Sequence, residues 1–398
     1  MALKQGRGSR IPSFLAMDVV AAAETLAATL PPEAPGLIRM EVGQPGRGAP
    51  RDAVAAAHRL LDASTAAGGP SLGYTQAFGL PALRHRIVRH LADLHGVEVS
   101  AERICITTGA SGGFVLAFLA AFDPGDRIAL ASPYYPPYVN ILTALGMEPV
   151  VLPCGPETDF QPTVAMLAAL DPPPDGLILA SPCNPAGTML GADAFADIAV
   201  WCARHGVRVI SDEIYHGLHY GPTPVTASAM EEAITINSFS KYWRMTGWRV
   251  GWMVLPDDLL RAVERLAQNL FISPPHLAQC VALAAMDCTD ELEADRLAYR
   301  ATRDDLRARL PAIGLDRLSS AEGGFYLYAD LAALDADPAL RDSRVFCRRL
   351  LEEAHVAATP GIDFDPVRGH DFVRFSYCGP TALMREVPGR IGRFLGRG

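Results

Sequence analysis

The middle of the chain alternates short apolar runs with stretches of helical periodicity. Apolar runs predict strands at 103–107, 127–131, 176–180, 208–211, 233–237 and 249–254. Apolar positions spaced three and four residues apart predict helices at 112–122, 138–145, 163–169 and 191–205. This alternation is typical of an α/β protein with a doubly wound, mostly parallel sheet, and it predicts about six or seven strands.

After residue 256 the pattern changes to longer helices and then to a mixed tail. Helices are predicted at 257–266, 276–309 and 343–354, and strands at 324–330 and 371–377. We therefore expect a large domain at 45–280, a smaller α+β domain at 281–398 and an N-terminal arm at 1–44 that joins the smaller domain. A chain of 398 residues can bury such cores without disulfides or metal.

Charge and composition exclude several classes of function. The net charge is 35 − 44 = −9 and no long basic run occurs, so nucleic acid is not an expected partner. The apolar stretch 113–122 is about half of the ~20 residues that a membrane span needs, and no signal-peptide pattern is present. We expect a cytoplasmic protein with no membrane partner. The cysteines form no C-x-x-C pair, so we expect neither a metal site nor a disulfide framework.

Lysine is scarce in this chain. Of the 35 basic residues only Lys4 and Lys241 are lysines. Most lysines are ordinary surface residues, but Lys241 lies in mid-chain beside Ser240 and Tyr242. An amine, unlike a guanidinium, can lose its proton and form an imine. The scarcity and the neighbours together favour a chemical role for Lys241.

Polar residues follow the predicted strands, at the edge of the sheet where ligands bind in open α/β folds. The glycine-rich turn 108–113 precedes a helix and is suited to a phosphate, although a plain strand-to-helix connection explains it equally well. The aromatic segment 132–138 is either a packed turn or a surface for a flat cofactor. Asp212 ends a buried strand, where a carboxylate needs a cation or several donors. With Lys241 and Arg249, these features match the needs of pyridoxal phosphate (PLP).

Nearly the whole chain resembles the class I and II aminotransferases, which are PLP-dependent enzymes of fold type I. The motifs that carry the resemblance occur in family order: Gly43-Gln44-Pro45, Tyr74 with Gly79 to Arg84, Asn184-Pro185, Asp212-Glu213-Ile214-Tyr215, Ser238-Phe239-Ser240-Lys241, Gly247 to Gly251, Gly324-Phe325-Tyr326, Thr359-Pro360-Gly361 and Val373 to Ser376. The resemblance implies the type I PLP-dependent transferase fold and a homodimer with shared active sites.

The resemblance also implies a role for each matching residue. Lys241 would form a Schiff base with PLP and then move the substrate proton, and Asp212 would keep the pyridine nitrogen protonated. Tyr135 or, as the alternative, Tyr134 would stack on the ring, and Asn184 and Tyr215 would form hydrogen bonds with the ring oxygen. The implied phosphate-binding residues are Ala110, Ser111, Ser238, Ser240, Arg249 and the neighbouring subunit's Tyr74. Arg374, Asn184 and the Gly43 backbone would bind the substrate α-carboxylate.

Departures from the family pattern bear on the substrate. Ser111 stands where some members with acidic substrates carry lysine, and the segment 269–273 is more apolar than in those members. We therefore expect a neutral or aromatic amino donor, a 2-oxo acid acceptor such as 2-oxoglutarate or pyruvate, and a ping-pong reaction.

Other readings of the same residues stay open. A PLP-dependent carbon–sulfur β-lyase, or a lyase like aminocyclopropane-carboxylate synthase, would use the same lysine, aspartate and arginine. A PLP-sensing regulator is disfavoured because no basic helix-turn-helix pattern occurs. A dinucleotide-dependent dehydrogenase is disfavoured because no G-x-G-x-x-G turn opens the first βα unit.

Overall fold

A seven-stranded sheet forms the centre of the protein in a computed structural model that describes residues 3–31, 33–332 and 334–397. The strands of the chain are β1 (Ile38–Arg39), β2 (Ile104–Thr107), β3 (Arg127–Ser132), β4 (Glu148–Pro153), β5 (Gly176–Ala180), β6 (Arg208–Asp212), β7 (Ile234–Ser238), β8 (Gly251–Val254), β9 (Tyr326–Asp330), β10 (Val356–Ala357), β11 (Thr359–Pro360) and β12 (Phe372–Ser376). The central sheet has the order β2-β8-β7-β6-β5-β3-β4. Its β8 runs antiparallel to both neighbours, whereas the other pairs are parallel.

Helices pack on both faces of this sheet and around the smaller, C-terminal part of the chain. They are α1 (Leu15–Thr29), α2 (Arg51–Thr65), α3 (Pro81–His95), α4 (Gly109–Ala121), α5 (Pro137–Leu145), α6 (Val164–Ala168), α7 (Ala192–His205), α8 (Leu260–Leu270), α9 (His276–Ala285), α10 (Thr289–Arg309), α11 (Ser343–Ala354), α12 (Thr381–Met384) and α13 (Val387–Phe394). One face packs against α4, α5 and α8, and the other packs against α2, α3, α9, α6 and α7. The doubly wound α/β fold is therefore confirmed.

Burial on both faces explains why these strands read as continuous apolar runs. In β8, Trp252 and Val254 pack against α2, α3 and α9, whereas Met253 packs against α4 on the opposite face. Successive strand side chains point to opposite faces, so a strand covered on both sides has apolar residues at every position.

A second, antiparallel sheet of order β11-β12-β9 packs against α11 and α13 around an apolar core. Near it, β1 pairs in parallel with β10, which joins the start of the chain to its C-terminal part. This arrangement is the smaller α+β unit expected from the sequence. The limits 1–44, 45–280 and 281–398 for the arm and the domains stay predictions.

Several predicted elements differ from those in the structure. The pattern does not predict β4, an edge strand whose prolines at both ends obscure it and whose residues are mostly half-exposed or exposed. The helix predicted at 276–309 is divided into α9 and α10 by a break at 286–288. The strand predicted at 249–254 begins only at Gly251, because Arg249 has a φ of 54° and cannot extend the strand.

The helix after β2 also begins earlier than predicted. α4 starts at Gly109 and not at residue 112, so the glycine-rich stretch forms the first turn of the helix. Within the described residues, every helix is too short or too polar to cross a bilayer.

Candidate active site

A cavity of about 180 Å³ lies at the carboxyl ends of β5 and β6, beside the first turn of α4. Residues from distant parts of the chain form its wall. The sequence-predicted residues among them are Gly43, Ala110, Ser111, Tyr135, Asn184, Asp212, Tyr215, Lys241 and Arg374. The fold thus brings together residues from both ends of the chain and from the strand ends of the central sheet.

Lys241 follows β7 and projects into the cavity. Its Nζ donates a hydrogen bond to the carbonyl oxygen of Gly43 at 2.6 Å. Burial lowers the pKa of Lys241 to about 8, since a charged amine is poorly solvated there. A Cβ at Gly43 would lie 1.9 Å from the Tyr326 hydroxyl, so only glycine allows this backbone to approach. The amine therefore loses its proton at a lower pH than an ordinary lysine does.

Asp212 is the last residue of β6 and lies buried in the cavity wall. One carboxylate oxygen accepts the Ile214 N–H at 3.1 Å, and the other accepts the hydroxyl of Tyr138. Burial raises the pKa of Asp212 to about 6, while the Tyr138 and Ile214 hydrogen bonds and the Lys241 charge oppose the rise. The carboxylate is therefore mostly ionised at neutral pH and suits a protonated ring nitrogen.

Tyr215 is buried beside Tyr326. Tyr326 belongs to the Gly324-Phe325-Tyr326 motif, but the family resemblance assigns it no role. The hydroxyls of Tyr215 and Tyr326 lie 2.9 Å apart. Burial raises the pKa of Tyr215 well above its usual range, so its phenol keeps a proton to donate. Tyr326 also contacts Gly43 and lines the cavity, which makes it a neighbour of both Tyr215 and Lys241.

Arg374 lies in the middle of β12 and is buried. Its Nη atoms donate to Asn184 Oδ1 at 2.9 Å and to the Glu41 carbonyl at 2.6 Å. The guanidinium carbon lies 4.6 Å from the ring centroids of both Tyr326 and Phe364. Nε is buried with no hydrogen-bond partner among the described residues. A fixed guanidinium with a spare donor is suited to a carboxylate.

The first turn of α4 can hold an anion. The N–H groups of a first helical turn have no partner within the helix, and here they belong to Gly109, Ala110 and Ser111. Gly109 has a φ of 70°, and a Cβ there would lie 2.5 Å from the Arg249 guanidinium. The glycine therefore permits a guanidinium beside free amide donors. These residues, together with Lys241 and Asp212, fit PLP.

Some predicted residues do not line the cavity. Ser238 and Ser240 are buried together, with their hydroxyl oxygens 2.9 Å apart and the Ser238 hydroxyl also near the Val250 carbonyl. Tyr74 is 83% exposed on the single chain. Tyr134 packs behind the cavity, whereas Tyr135 lines it.

The residues predicted from the sequence do not include the apolar side of the cavity. Its side chains come from the N-terminal segment and α1 and from α4 and α5: Phe14, Met17, Val20, Phe114 and Ile141. The helical pattern of α1 does not indicate that this helix lines a site. Its place in the wall, beside residues that are distant in sequence, depends on the fold. Tyr138 lies in the predicted aromatic segment but its partner Asp212 belongs to another element.

A family model described as "Aminotransferase class I and II" matches residues 35–391. The chain belongs to the class I and II aminotransferases. It is 46% identical over 390 residues to the valine–pyruvate aminotransferase of Mycobacterium tuberculosis, and the match covers 97% of each chain.

Solved structures of aminotransferases share the fold. An aminotransferase from Mycobacterium tuberculosis superposes with a TM-score of 0.93 at 44% identity and full coverage of both chains. The aspartate aminotransferase of Thermus thermophilus, solved with maleate, gives a TM-score of 0.88 at 28% identity and covers 99% of this chain and 100% of its own. The predicted family and fold are confirmed. Aminotransferases of this class use PLP, so the predicted cofactor is confirmed as well.

Proposed function

We propose that this aminotransferase moves the amino group of a neutral aliphatic amino acid such as valine to a neutral 2-oxo acid such as pyruvate, by a ping-pong reaction. The observation that carries the proposal is the distribution of charge in the cavity wall. Its cations in the described residues are Lys241 and Arg374. If Lys241 holds the cofactor and Arg374 holds the α-carboxylate, no cation is left for a second carboxylate.

The rest of the wall favours an apolar side chain. Phe14, Met17, Val20, Phe114 and Ile141 line the cavity. Glu41 is also in the wall and is fully buried, with its carboxylate paired to the Arg39 guanidinium, so it offers no cation to an acidic substrate. Burial of an unpaired carboxylate is costly, whereas burial of a methyl group is favourable.

The relative at 46% identity supports the same substrate class, since it is named as a valine–pyruvate aminotransferase. Both of those substrates are neutral beyond the α-carboxylate. One apolar pocket therefore serves the donor and the acceptor without rearrangement, as a ping-pong reaction requires.

We assign the roles of the chain's residues as follows. PLP, when bound, supplies the electron sink for removal of the substrate α-proton. Lys241 would hold the cofactor and, once released from it, move the proton at the substrate Cα with its Nζ. Asp212 would bind the ring nitrogen through a carboxylate held by Tyr138 and Ile214.

The remaining roles concern binding. Tyr135 would stack on the ring, and Asn184 and Tyr215 would hydrogen-bond to the ring oxygen. The amides of Ala110 and Ser111, Arg249 and the hydroxyls of Ser238 and Ser240 would hold the phosphate, although the serine hydroxyls need to turn from their present partners. Arg374, with Asn184 and the Gly43 backbone, would hold the α-carboxylate.

We also propose that two copies of the chain assemble with shared active sites. Tyr74 projects 83% exposed from a segment whose neighbour Thr75 donates its N–H to Ser273. Leu270 and Ile272 in the same region are about half exposed. An exposed tyrosine beside exposed apolar side chains is typical of an interface.

The substrate proposal is tested by half-reactions of the holoenzyme. Single amino acids are added without acceptor, and the visible spectrum reports conversion of the cofactor to its pyridoxamine form; 2-oxo acids are then added to restore it. We expect valine to exceed aspartate, and pyruvate to exceed 2-oxoglutarate, by at least ~100-fold in rate at equal concentration, because the second carboxylate has no cation.

Variants at two positions sharpen this test. Ser111→Lys should raise the rate with 2-oxoglutarate and Ser111→Met should not, while Lys241→Ala should abolish both half-reactions. Equal rates for aspartate and valine would overturn the substrate class. Release of ammonia, pyruvate and a thiol from a cysteine conjugate, with no pyridoxamine form, would identify a lyase.

A further inference from the structure

Two histidines and a glutamate meet behind the active site, outside the cavity described above. His95 ends α3, and Glu213 and His216 follow β6 directly after Asp212. His216 Nδ1 lies 3.2 Å from His95 Nε2 and 3.2 Å from Glu213 Oε2. One ligand atom from each of the three residues lies within 4.8 Å of the others. Glu213 and His216 are fully buried, whereas His95 is partly exposed.

His216 presents an unprotonated nitrogen to the other two groups. His216 Nε2 lies 3.0 Å from the Ser181 carbonyl, which can only accept a hydrogen bond. A neutral imidazole has a single N–H, so His216 Nδ1 presents a lone pair to His95 and Glu213.

We propose that His95, Glu213 and His216 bind a zinc ion or a similar divalent transition metal. Ligand atoms about 2.0–2.1 Å from a tetrahedral zinc are about 3.3 Å apart, which agrees with the two separations of 3.2 Å. Two imidazoles and a carboxylate are a known type of zinc ligand set. The partly exposed side of His95 leaves the fourth position to water.

The surroundings of the three ligands match those of metal sites. Metal-binding histidines usually donate their second nitrogen to a backbone carbonyl, as His216 does to Ser181. Metal-binding carboxylates are usually hydrogen-bonded themselves. Glu213 accepts the hydroxyls of Thr226 and Ser211 at 2.8 and 3.1 Å and the Ala227 N–H at 2.7 Å. These contacts orient the ligands before any ion binds.

The expectation of no metal site rests on the absence of cysteine pairs. Glu213 and His216 lie inside a family motif and beside it, and their third partner His95 belongs to a helix more than a hundred residues earlier. An ion at this place would join the end of α3 to the segment 212–216, which carries Asp212 and Tyr215 into the cavity. The ion would therefore stabilise the position of two active-site residues without contacting substrate.

The test measures metal in the purified holoenzyme. The protein is loaded with zinc, dialysed and analysed by mass spectrometry for metal, and its zinc affinity is measured by competition with a chromophoric chelator. We expect about one zinc per chain. His95→Ala should lower the affinity by more than ~10-fold. His85→Ala removes an exposed histidine from the same helix and should leave it unchanged.

Two further readouts do not depend on turnover. Zinc should raise the melting temperature of the wild type and of His85→Ala, but not that of His95→Ala. If His95→Ala does not fold, cobalt titration of the wild type tests the site instead. Tetrahedral cobalt bound by these ligands would show visible d–d absorption. Absence of bound zinc and of the cobalt bands, or equal binding by His95→Ala and wild type, would overturn the proposal.

Discussion

At the scale of single residues, burial gives Lys241 and Asp212 the ionisation states that the site needs. Burial lowers the pKa of the amine to about 8 and raises that of the carboxyl to about 6. Between these values the carboxylate is mostly ionised, and a substantial fraction of the amine becomes uncharged as the pH approaches 8. The Gly43 carbonyl and the Tyr138 hydroxyl hold the two groups in place.

The lowered pKa of Lys241 can be measured directly because the chain has only one other lysine, the exposed Lys4. In the cofactor-depleted protein, we expect acetylation of Lys241 to speed up with rising pH and to level off above about 8, since only the neutral amine reacts. Quantitative peptide mass spectrometry measures both lysines in the same sample.

PLP should protect Lys241 and leave Lys4 reactive. A Lys241 profile that still rises beyond pH 10 would show that burial does not lower its pKa, and equal protection of both lysines would contradict covalent attachment at Lys241.

At the scale of elements, α1 forms part of the cavity wall and is held at its first turn by a distant residue. The N–H groups of Leu15 and Ala16 donate to the Asp363 carboxylate at 3.0 and 3.1 Å. Asp363 follows β11, so the contact joins the start of the chain to the smaller sheet. It caps the helix that brings Met17 and Val20 into the wall.

Asp363→Ala should loosen α1 and weaken substrate binding. Loss of a helix cap costs about 1 kcal/mol, which corresponds to a KM for the amino donor about fivefold higher, with a smaller change in kcat. Steady-state kinetics measure both parameters. Glu24→Ala removes an exposed carboxylate in the middle of α1 and should change neither. A fall in kcat at constant KM would contradict a role for α1 in binding.

At the scale of the whole molecule, the proposed dimer gives a role to Tyr74, which does not line the cavity in the single chain. Tyr74 lies outside the cavity and is exposed, although the family resemblance gives it a contact with the phosphate in the partner subunit. A site completed by a second copy explains both observations.

Sedimentation of the holoenzyme should therefore show a mass of two chains. Tyr74→Phe should leave the dimer intact and weaken PLP binding by about tenfold, the usual loss for one hydrogen bond to a charged group. Fluorescence titration of the cofactor-depleted protein measures this affinity. A monomeric holoenzyme, or unchanged PLP affinity in Tyr74→Phe, would contradict shared sites.

The sequence predicts the central sheet well because its strands are buried on both faces and so are apolar throughout. The edge strand β4 is not predicted, because its residues are mostly partly exposed and it begins and ends near prolines. The break between α9 and α10 is not predicted either, because the helical periodicity of the sequence continues across it.

The sequence by itself determined the family, the cofactor and nine of the residues that line the cavity, because Lys241, Asp212, Asn184 and Arg374 occur in motifs whose chemistry is local. Only the tertiary structure decided which residues share a wall. The hydrogen bond of Tyr138 to Asp212, the cover that α1 provides and the meeting of His95 with His216 all join separate elements. Such contacts depend on how the helices pack on the sheet. The local sequence pattern does not specify which residues this packing brings together.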